Sequence, residues 1–209
     1  TRTDSKNIKT DYESYKRLGE SGLKIFYVYC ETVWLYDNAK EVFDHEASII
    51  IDAVPDAYII PRISLHPPKK WMDENPDEIV QYSDGKPVIT RFRSETYSAT
   101  LKGMYSLCSE KWRKDAGKAL MEMIDYFSGL PYADRIIGYF LAAGGTSEWY
   151  YYNPMENFET GAYADTSKAF KTEFEKFLKE KYGKKAPEPI IPDISSRYYA
   201  EKIDDEMYN

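Results

Sequence analysis

The sequence has few of the residues on which metal sites and disulfide frameworks depend. Its 209 residues include only two cysteines, Cys30 and Cys108, and two histidines, His45 and His66. Neither pair shows the close spacing of metal ligands, so we expect no metal and no other cofactor. Both cysteines are predicted to be buried thiols, which do not by themselves indicate an oxidising compartment.

Long apolar runs and an excess of basic residues are also missing. No stretch is long enough to span a bilayer, so the sequence predicts a soluble protein, without deciding between the cytoplasm and a secreted or periplasmic location. The net charge is -7, whereas binding to phosphate backbones needs a basic face. We therefore predict neither a nucleic acid nor a membrane as partner, and a neutral or weakly charged substrate fits better.

Several motifs that would define other classes of enzyme are absent as well. There is no internal repeat, no G-x-S-x-G elbow and no glycine-rich phosphate loop ahead of a helix. The chain starts at Thr1 without a methionine or a signal-peptide pattern, and it ends inside a predicted helix. This pattern predicts that the sequence is a piece of a longer protein.

Aromatic residues, in contrast, are abundant. They make up 16% of the chain, with 20 tyrosines and 4 tryptophans. Tyrosine and tryptophan combine a flat apolar face with a polar edge, which suits carbohydrate binding as well as ordinary core packing. A chain of this length can bury a core in one domain or in two.

The hydrophobic pattern predicts an alternation of helices and strands. Strands are expected at residues 23–29, 57–65 and 136–142, and helices at residues 11–22, 44–54, 110–130, 168–182 and 194–209. This order is typical of an α/β fold, and we expect the three strands to be parallel and adjacent in chain order. The last strand is almost entirely apolar, which predicts that both of its faces are covered.

An insertion is predicted between the second strand and the long helix that follows it. It covers about residues 66–95 and contains a proline-rich loop and a hairpin turned at Ser83-Asp84-Gly85-Lys86. We expect this segment to stand outside the sheet, so that residues 1–209 form a single domain.

Polar and aromatic residues accompany the C-terminal end of each predicted strand. They are Trp34 and Tyr36 after the first strand, Arg62, His66 and Trp71 in and after the second, and Glu148 and Trp149 after the third. Ligands bind at these ends in parallel sheets, so we expect Trp34, His66 and Glu148 to open onto one cleft. Structural roles remain open: Glu148 and Arg62 as salt-bridge partners, His66 as a loop-capping hydrogen bonder and Trp71 as a loop anchor.

A set of motifs, taken in order, resembles a known enzyme family. They are Asp52-Ala-Val-Pro-Asp-Ala-Tyr-Ile-Ile-Pro-Arg62-Ile-Ser-Leu-His66-Pro-Pro, Trp71, the segment 75–85, Gly138-Tyr139 and Gly145-Thr-Ser-Glu148-Trp149. Together they look like the barrel domain of bacterial β-galactosidases of glycoside hydrolase family 42. The resemblance spans nearly the whole chain, and it depends on the order and spacing of the motifs rather than on any one of them.

The resemblance implies both a fold and an activity. The three strands would be the second, third and fourth of a (β/α)₈ TIM barrel, and Glu148 would be the general acid/base of a retaining glycosidase. The substrate would be a β-galactoside or a related β-glycoside, in contact with Trp34, Tyr36, Arg62, His66, Trp71 and Trp149. A general acid must stay protonated near neutral pH, and the aromatic residues from Trp149 to Tyr152 would raise the pKa of Glu148.

Two features depart from the family pattern. Ser147 stands where the wider barrel clan has asparagine, so the group that holds the sugar's 2-hydroxyl is not identified. The family's nucleophile comes from the seventh barrel strand, and no acid here has that place, because Glu31, Asp37 and Glu95 are interpreted as solvated loop charges. We therefore expect half an active site that is inactive by itself and associates with itself or with the missing barrel half. The alternative is a non-catalytic carbohydrate-binding or scaffold module on the same fold.

Overall fold

The computed structural model describes residues 5–86, 89–90, 101–102, 104–143, 149 and 164–190. The chain divides into two compact units. The first comprises Thr1–Pro68 and Lys114–Trp149, and the second comprises Lys69–Arg113 and Tyr150–Asn209. No helix in the described ranges combines the length and the apolar character needed to cross a membrane.

Helices and strands alternate along the described chain. In order, they are α1 (Ser5–Glu20), β1 (Ile25–Glu31), α2 (Ala39–Ala53), β2 (Tyr58–Ser64), α3 (Lys69–Glu74), a 3-10 turn (Pro76–Glu78), β3 (Ile89–Thr90), β4 (Leu101–Lys102), α4 (Glu110–Ser128), a 3-10 turn (Ala133–Arg135), β5 (Phe140–Ala142), α5 (Lys168–Tyr182) and a 3-10 turn (Gly183–Lys185).

The first unit contains a parallel sheet in the order β1-β2-β5. This confirms the prediction of three parallel strands that are adjacent in the order of the chain. β1 runs two residues beyond its predicted end, because Cys30 and Glu31 still pair with Ile63 and Ser64 of β2. β5 is shorter than predicted, although an isolated bridge joins Ile136 to Ile59 near the point where the strand was expected to begin.

The two faces of this sheet differ in what covers them. Alternate residues of β1 and β2, such as Phe26, Val28 and Ile63, are buried on the side where α2 packs. We call the other side the open face; its residues are Ile25, Tyr27, Tyr29, Glu31, Tyr58, Ile60, Arg62, Ser64, Phe140 and Ala142. The prediction that β5 is covered on both faces does not hold for the described part of the chain, since Phe140 is 43% exposed on the open face.

Aromatic packing between two helices forms the core of the first unit. The rings of Phe43 on α2 and Phe127 on α4 have centroids 4.6 Å apart, and both side chains are fully buried. α2 begins five residues earlier than predicted, because Ala39 lies one turn before Phe43 and is buried with it. A side chain at Gly19 would meet Val54 at 2.6 Å, so the close approach of α1 to the end of α2 requires glycine there.

The second unit carries the predicted insertion. The predicted turn is confirmed by a hydrogen bond from the backbone nitrogen of Tyr82 to the carbonyl oxygen of Lys86, by one from the nitrogen of Gly85 to the carbonyl oxygen of Tyr82, and by the positive φ of Gly85. The residues that follow the turn form β3, which pairs antiparallel with β4. The bounds of α5 agree with the prediction, and Phe177 on this helix is 51% exposed. The helix predicted at residues 194–209 lies outside the described residues.

Candidate functional site

The ends of β1 and β2 place an acid and a hydroxyl opposite each other on the open face. Glu31 is the last residue of β1 and pairs in register with Ser64, the last residue of β2. The Tyr29 hydroxyl donates a hydrogen bond of 2.5 Å to Glu31 Oε1. The interpretation of Glu31 as a solvated loop charge is therefore wrong, because the strand extends to this residue and burial encloses its carboxyl group. Asp37 is exposed, and Glu95 lies outside the described residues.

Burial shifts the pKa values of Glu31 and Tyr29. It raises the pKa of the Glu31 carboxyl, while the Tyr29 hydrogen bond and the Ser64 hydroxyl oppose the rise. The Ser64 hydroxyl acts on the carboxyl from nearby, but its approach does not reach full hydrogen-bond geometry. Burial also raises the pKa of Tyr29, and the charge of Glu31 is the second cause of this rise. Glu31 therefore retains its proton to a higher pH than an ordinary glutamate does.

Arg62 lies on the open face between two aromatic rings. Its guanidinium carbon is 5.8 Å from the ring centroid of Tyr29 and 5.6 Å from that of Phe140. Tyr27 on β1 also meets Phe140 on β5 edge to face, with centroids 6.0 Å apart. Side chains of the two outer strands thus converge above β2. The orientation of Arg62, left open by the sequence, is toward the face that carries Glu31.

Trp149 is anchored at the end of β5. Its indole nitrogen donates a hydrogen bond of 2.7 Å to the carbonyl oxygen of Leu141, and the side chain is 54% exposed. Glu148, the predicted acid, precedes it in the chain but lies outside the described residues, as does Ser147. The predicted cleft shared by Trp34, His66 and Glu148 therefore stays a prediction.

Two aromatic candidates lie in the turn that leaves β1. The carbonyl oxygen of Thr32 accepts hydrogen bonds from the backbone nitrogens of Leu35 at 2.9 Å and of Tyr36 at 3.1 Å. This turn holds Trp34 half-buried and leaves Tyr36 42% exposed. Both side chains therefore belong to the segment that follows the Glu31 end of the strand.

His66 and Trp71 occupy different units. Burial lowers the pKa of His66 to about 4, so its imidazole is neutral at neutral pH and can both accept and donate a hydrogen bond. The neighbouring Leu65 binds the carbonyl oxygen of Ala142 through its backbone nitrogen, which ties this segment to the end of β5. Trp71 is buried in the second unit, with the Lys111 ammonium 5.9 Å from its ring centroid. Both observations fit a structural role in which Trp71 anchors its loop.

The grouping of Tyr29, Glu31 and Ser64 on the open face was not predicted from the sequence, although the sequence contained a signal for it. Phe26, Val28 and Cys30 are apolar at alternate positions, which is the pattern of a strand with one face on a core. Extending that alternation would have assigned Tyr29 and Glu31 to the opposite face. No group of three or more histidine, cysteine, aspartate and glutamate side chains that could hold a metal ion occurs among the described residues.

The described part of the chain defines the class of the protein: its fold is α/β, with three parallel strands in an open sheet. In a comparison with solved structures, the chain is similar to the β-galactosidase from the psychrophilic Marinomonas ef1, with a TM-score of 0.51 and 18% sequence identity. The match covers 82% of this chain and 23% of that enzyme, so the chain spans about a quarter of its length. No family model matches the sequence, and no curated protein does. At this identity the similarity establishes the fold alone.

Proposed function

We propose that the chain is part of a β-galactosidase-like glycoside hydrolase of the family 42 type, built on a partial TIM barrel. It acts on a β-galactoside or a related β-glycoside with retention of configuration, and Glu148 is the general acid/base. The observation that carries the proposal is the row of polar and aromatic side chains at the ends of three parallel strands, in a fold similar to that of a β-galactosidase.

The side chains at this edge suit a neutral sugar. Sugar rings present apolar C–H faces and many hydroxyls, and the open face offers the rings of Tyr29 and Phe140 beside the polar groups of Arg62 and Glu31. The hydrogen bond from Trp149 to Leu141 supports a role for Glu148, because it holds the next residue in the chain at the end of β5. Tyr36 and the exposed Trp149 are further proposed sugar contacts.

The open face itself supports a larger assembly. Parallel sheets occur almost entirely with both faces covered, whereas Tyr27 and Tyr58 are 61% and 45% exposed here. We propose that the remaining strands of a barrel cover this face, which would make residues 1–209 part of one barrel domain. Sedimentation of the purified chain tests this, because a stable dimer of this chain would instead assign the face to a second copy.

Binding is tested by an NMR titration of the chain with methyl β-thiogalactoside, a sugar that glycosidases hydrolyse very slowly, with the corresponding α-thiogalactoside as control. We expect saturable binding of the β-anomer and shifts confined to the residues at the strand ends. The absence of binding by any β-galactoside or β-glucoside would refute the proposal that this edge holds carbohydrate.

Catalysis by Glu148 is tested in the longest form of the protein that contains these residues. A general acid helps a poor leaving group such as an alkoxide far more than a good one such as dinitrophenolate. We expect Glu148→Gln to lower kcat/KM for an alkyl β-galactoside by about 10²-fold or more and to lower it much less for the dinitrophenyl substrate. Equal losses for both substrates would refute the role of Glu148. No turnover by the wild-type protein would favour the non-catalytic module.

A further inference from the structure

Two buried oxygens at the edge of the open face lack hydrogen bonds within the part of the chain that the structure describes. They are Glu31 Oε2 and Ser64 Oγ, which belong to residues paired across β1 and β2. Leaving a buried polar atom without a partner is unfavourable, and native proteins do so rarely. The location of both atoms at the C-terminal edge, where parallel sheets bind ligands, suggests that something else completes their hydrogen bonds.

The first oxygen of Glu31 is already fixed in position. Tyr29 donates its hydroxyl hydrogen to Oε1 at 2.5 Å, and the ring of Tyr29 lies under the Arg62 guanidinium. These contacts hold the carboxyl group at the strand end, and they leave Oε2 without a hydrogen bond. The geometry is that of a binding group supported by its neighbours.

The surrounding charges and surfaces restrict the partner's chemistry. A cation would be repelled by Arg62, and an anion would be repelled by Glu31 whenever its carboxyl group is ionised. A neutral molecule with adjacent hydroxyls avoids both costs, because each hydroxyl donates to one oxygen and accepts from another. Phe140 adds an apolar surface on the same face, against which the C–H side of a ring can pack.

We propose that Glu31 and Ser64 form a subsite for two adjacent hydroxyls of a neutral sugar ring, with Tyr29 positioning the carboxyl group. The inference rests on the proposed function in taking carbohydrate as the ligand of this edge, and it adds a sugar-binding acid that is distinct from Glu148. Because β1 and β2 alone supply the subsite, its two principal oxygens do not depend on the segment that contains Glu148.

The experiment combines a variant with a set of altered sugars. Wild type, Glu31→Ala, Glu31→Gln and the control Glu41→Gln are titrated by NMR with methyl β-thiogalactoside and its monodeoxy derivatives. Glu41 is an exposed acid on α2 of the same unit. We expect Glu31→Ala to raise Kd by about tenfold, Glu31→Gln to raise it less, and Glu41→Gln to leave it unchanged.

The deoxy sugars separate a direct contact from a structural effect. For wild type, removing one of the two bound hydroxyls should raise Kd by about tenfold, while the same removal should have little effect on Glu31→Ala, because the contact is already lost. Losses that simply add, or unchanged affinity in Glu31→Ala, would overturn the subsite while the proposed function stands. If the wild-type chain binds no β-galactoside at all, the proposed function fails and the subsite fails with it.

A second variant, Tyr29→Phe, provides a test that remains valid if Glu31→Ala does not fold. Tyr29→Phe keeps the ring beside Arg62 and removes only the hydroxyl that holds Glu31 Oε1. We expect it to weaken the binding of all the sugars by a similar small factor, because the carboxyl group is less well fixed but still present. A selective loss toward one deoxy sugar would show instead that Tyr29, and not Glu31, contacts the ligand.

Discussion

Tyr29 and Glu31 lie two residues apart on β1 and are joined by a hydrogen bond of 2.5 Å from the phenol to the carboxyl oxygen. Residues with this spacing point to the same side of a strand, so the pair depends on the extension of β1 as far as Glu31. Burial raises the pKa values of both groups. Their protonation is therefore linked to the folding of the first unit, which leads to the first prediction.

We expect ionisation of Glu31 to lower the stability of the protein as the pH rises. Its pKa in the folded protein is raised above 4.5, so the folded state binds this proton more tightly than the unfolded chain does. The resulting stabilisation is present below pH 4.5 and is lost as the pH passes through the raised value. Relative to Glu31→Gln, wild type should lose about 1.4 kcal/mol of unfolding free energy per unit of pKa shift.

Urea unfolding of wild type and Glu31→Gln, measured from about pH 4 to about pH 8, checks this. Glu41→Gln, at an exposed position on α2, is the control and should follow wild type. A constant difference between wild type and Glu31→Gln over the whole range would contradict the raised pKa.

His66 should have the opposite effect on acid stability. Burial lowers its pKa from 6.5 to about 4, so the unfolded chain binds this proton more tightly than the folded protein. The stabilisation that results from this difference is present above pH 6.5 and is lost as the pH falls through about 4. The loss for wild type should be on the order of 3 kcal/mol, and it should be absent from His66→Gln. Thermal unfolding at several pH values tests this, with the exposed His45→Gln as the control that keeps the loss.

The core of the first unit can be tested with two methionines of the same helix. Met123 on α4 is fully buried, whereas Met121 is 55% exposed. Met123→Ala should lower the unfolding free energy by about 2 to 5 kcal/mol, because it removes buried apolar atoms and leaves a cavity. Met121→Ala should change it by less than about 0.5 kcal/mol. The midpoints of denaturant unfolding measure both changes in stability. Similar losses for both variants would mean that α4 is rotated relative to the structure.

Local patterns were sufficient for much of the fold. The apolar runs and the helix signals gave the three parallel strands and the bounds of α5, because Ser167 caps that helix through the backbone nitrogen of Phe170 and Gly183 ends it. The pairing of β3 with β4 could not be predicted in this way. It depends on contacts between segments that are separated in the chain, and no short motif encodes them.

Local sequence patterns were also insufficient to predict the arrangement of the candidate site. Arg62 was identified as a candidate, but its direction follows from its register with Tyr29 and Phe140 on the neighbouring strands. Glu31 was assigned to a loop because it lies beyond the predicted end of the first strand at residue 29. Its burial results from pairing with Ser64, 33 residues further along the chain, which the local sequence does not reveal.

The last prediction is that this 209-residue chain, assayed by itself, does not hydrolyse β-galactosides at an enzymatic rate. Retaining glycosidases need two carboxyl groups about 5 Å apart, and a complete barrel usually takes about 250 residues and eight strands. Glu31 is the one acid on the open face of the described strands, and one of its oxygens accepts a hydrogen bond from Tyr29. In a chain without a nucleophile, the proposed proton donation by Glu148 would leave the developing oxocarbenium ion uncaptured, at a cost of several powers of ten in rate.

The assay uses a chromogenic β-galactoside with the wild-type chain, Glu148→Gln and Glu31→Gln, and compares each with buffer. We expect all three proteins to give the background rate. Turnover by wild type that Glu148→Gln abolishes would show that the chain contains a second catalytic carboxyl group. If Glu31→Gln abolished the same turnover, while Glu41→Gln did not, Glu31 would be that group, and its buried position beside Tyr29 would then be the site of the nucleophile instead of a binding subsite.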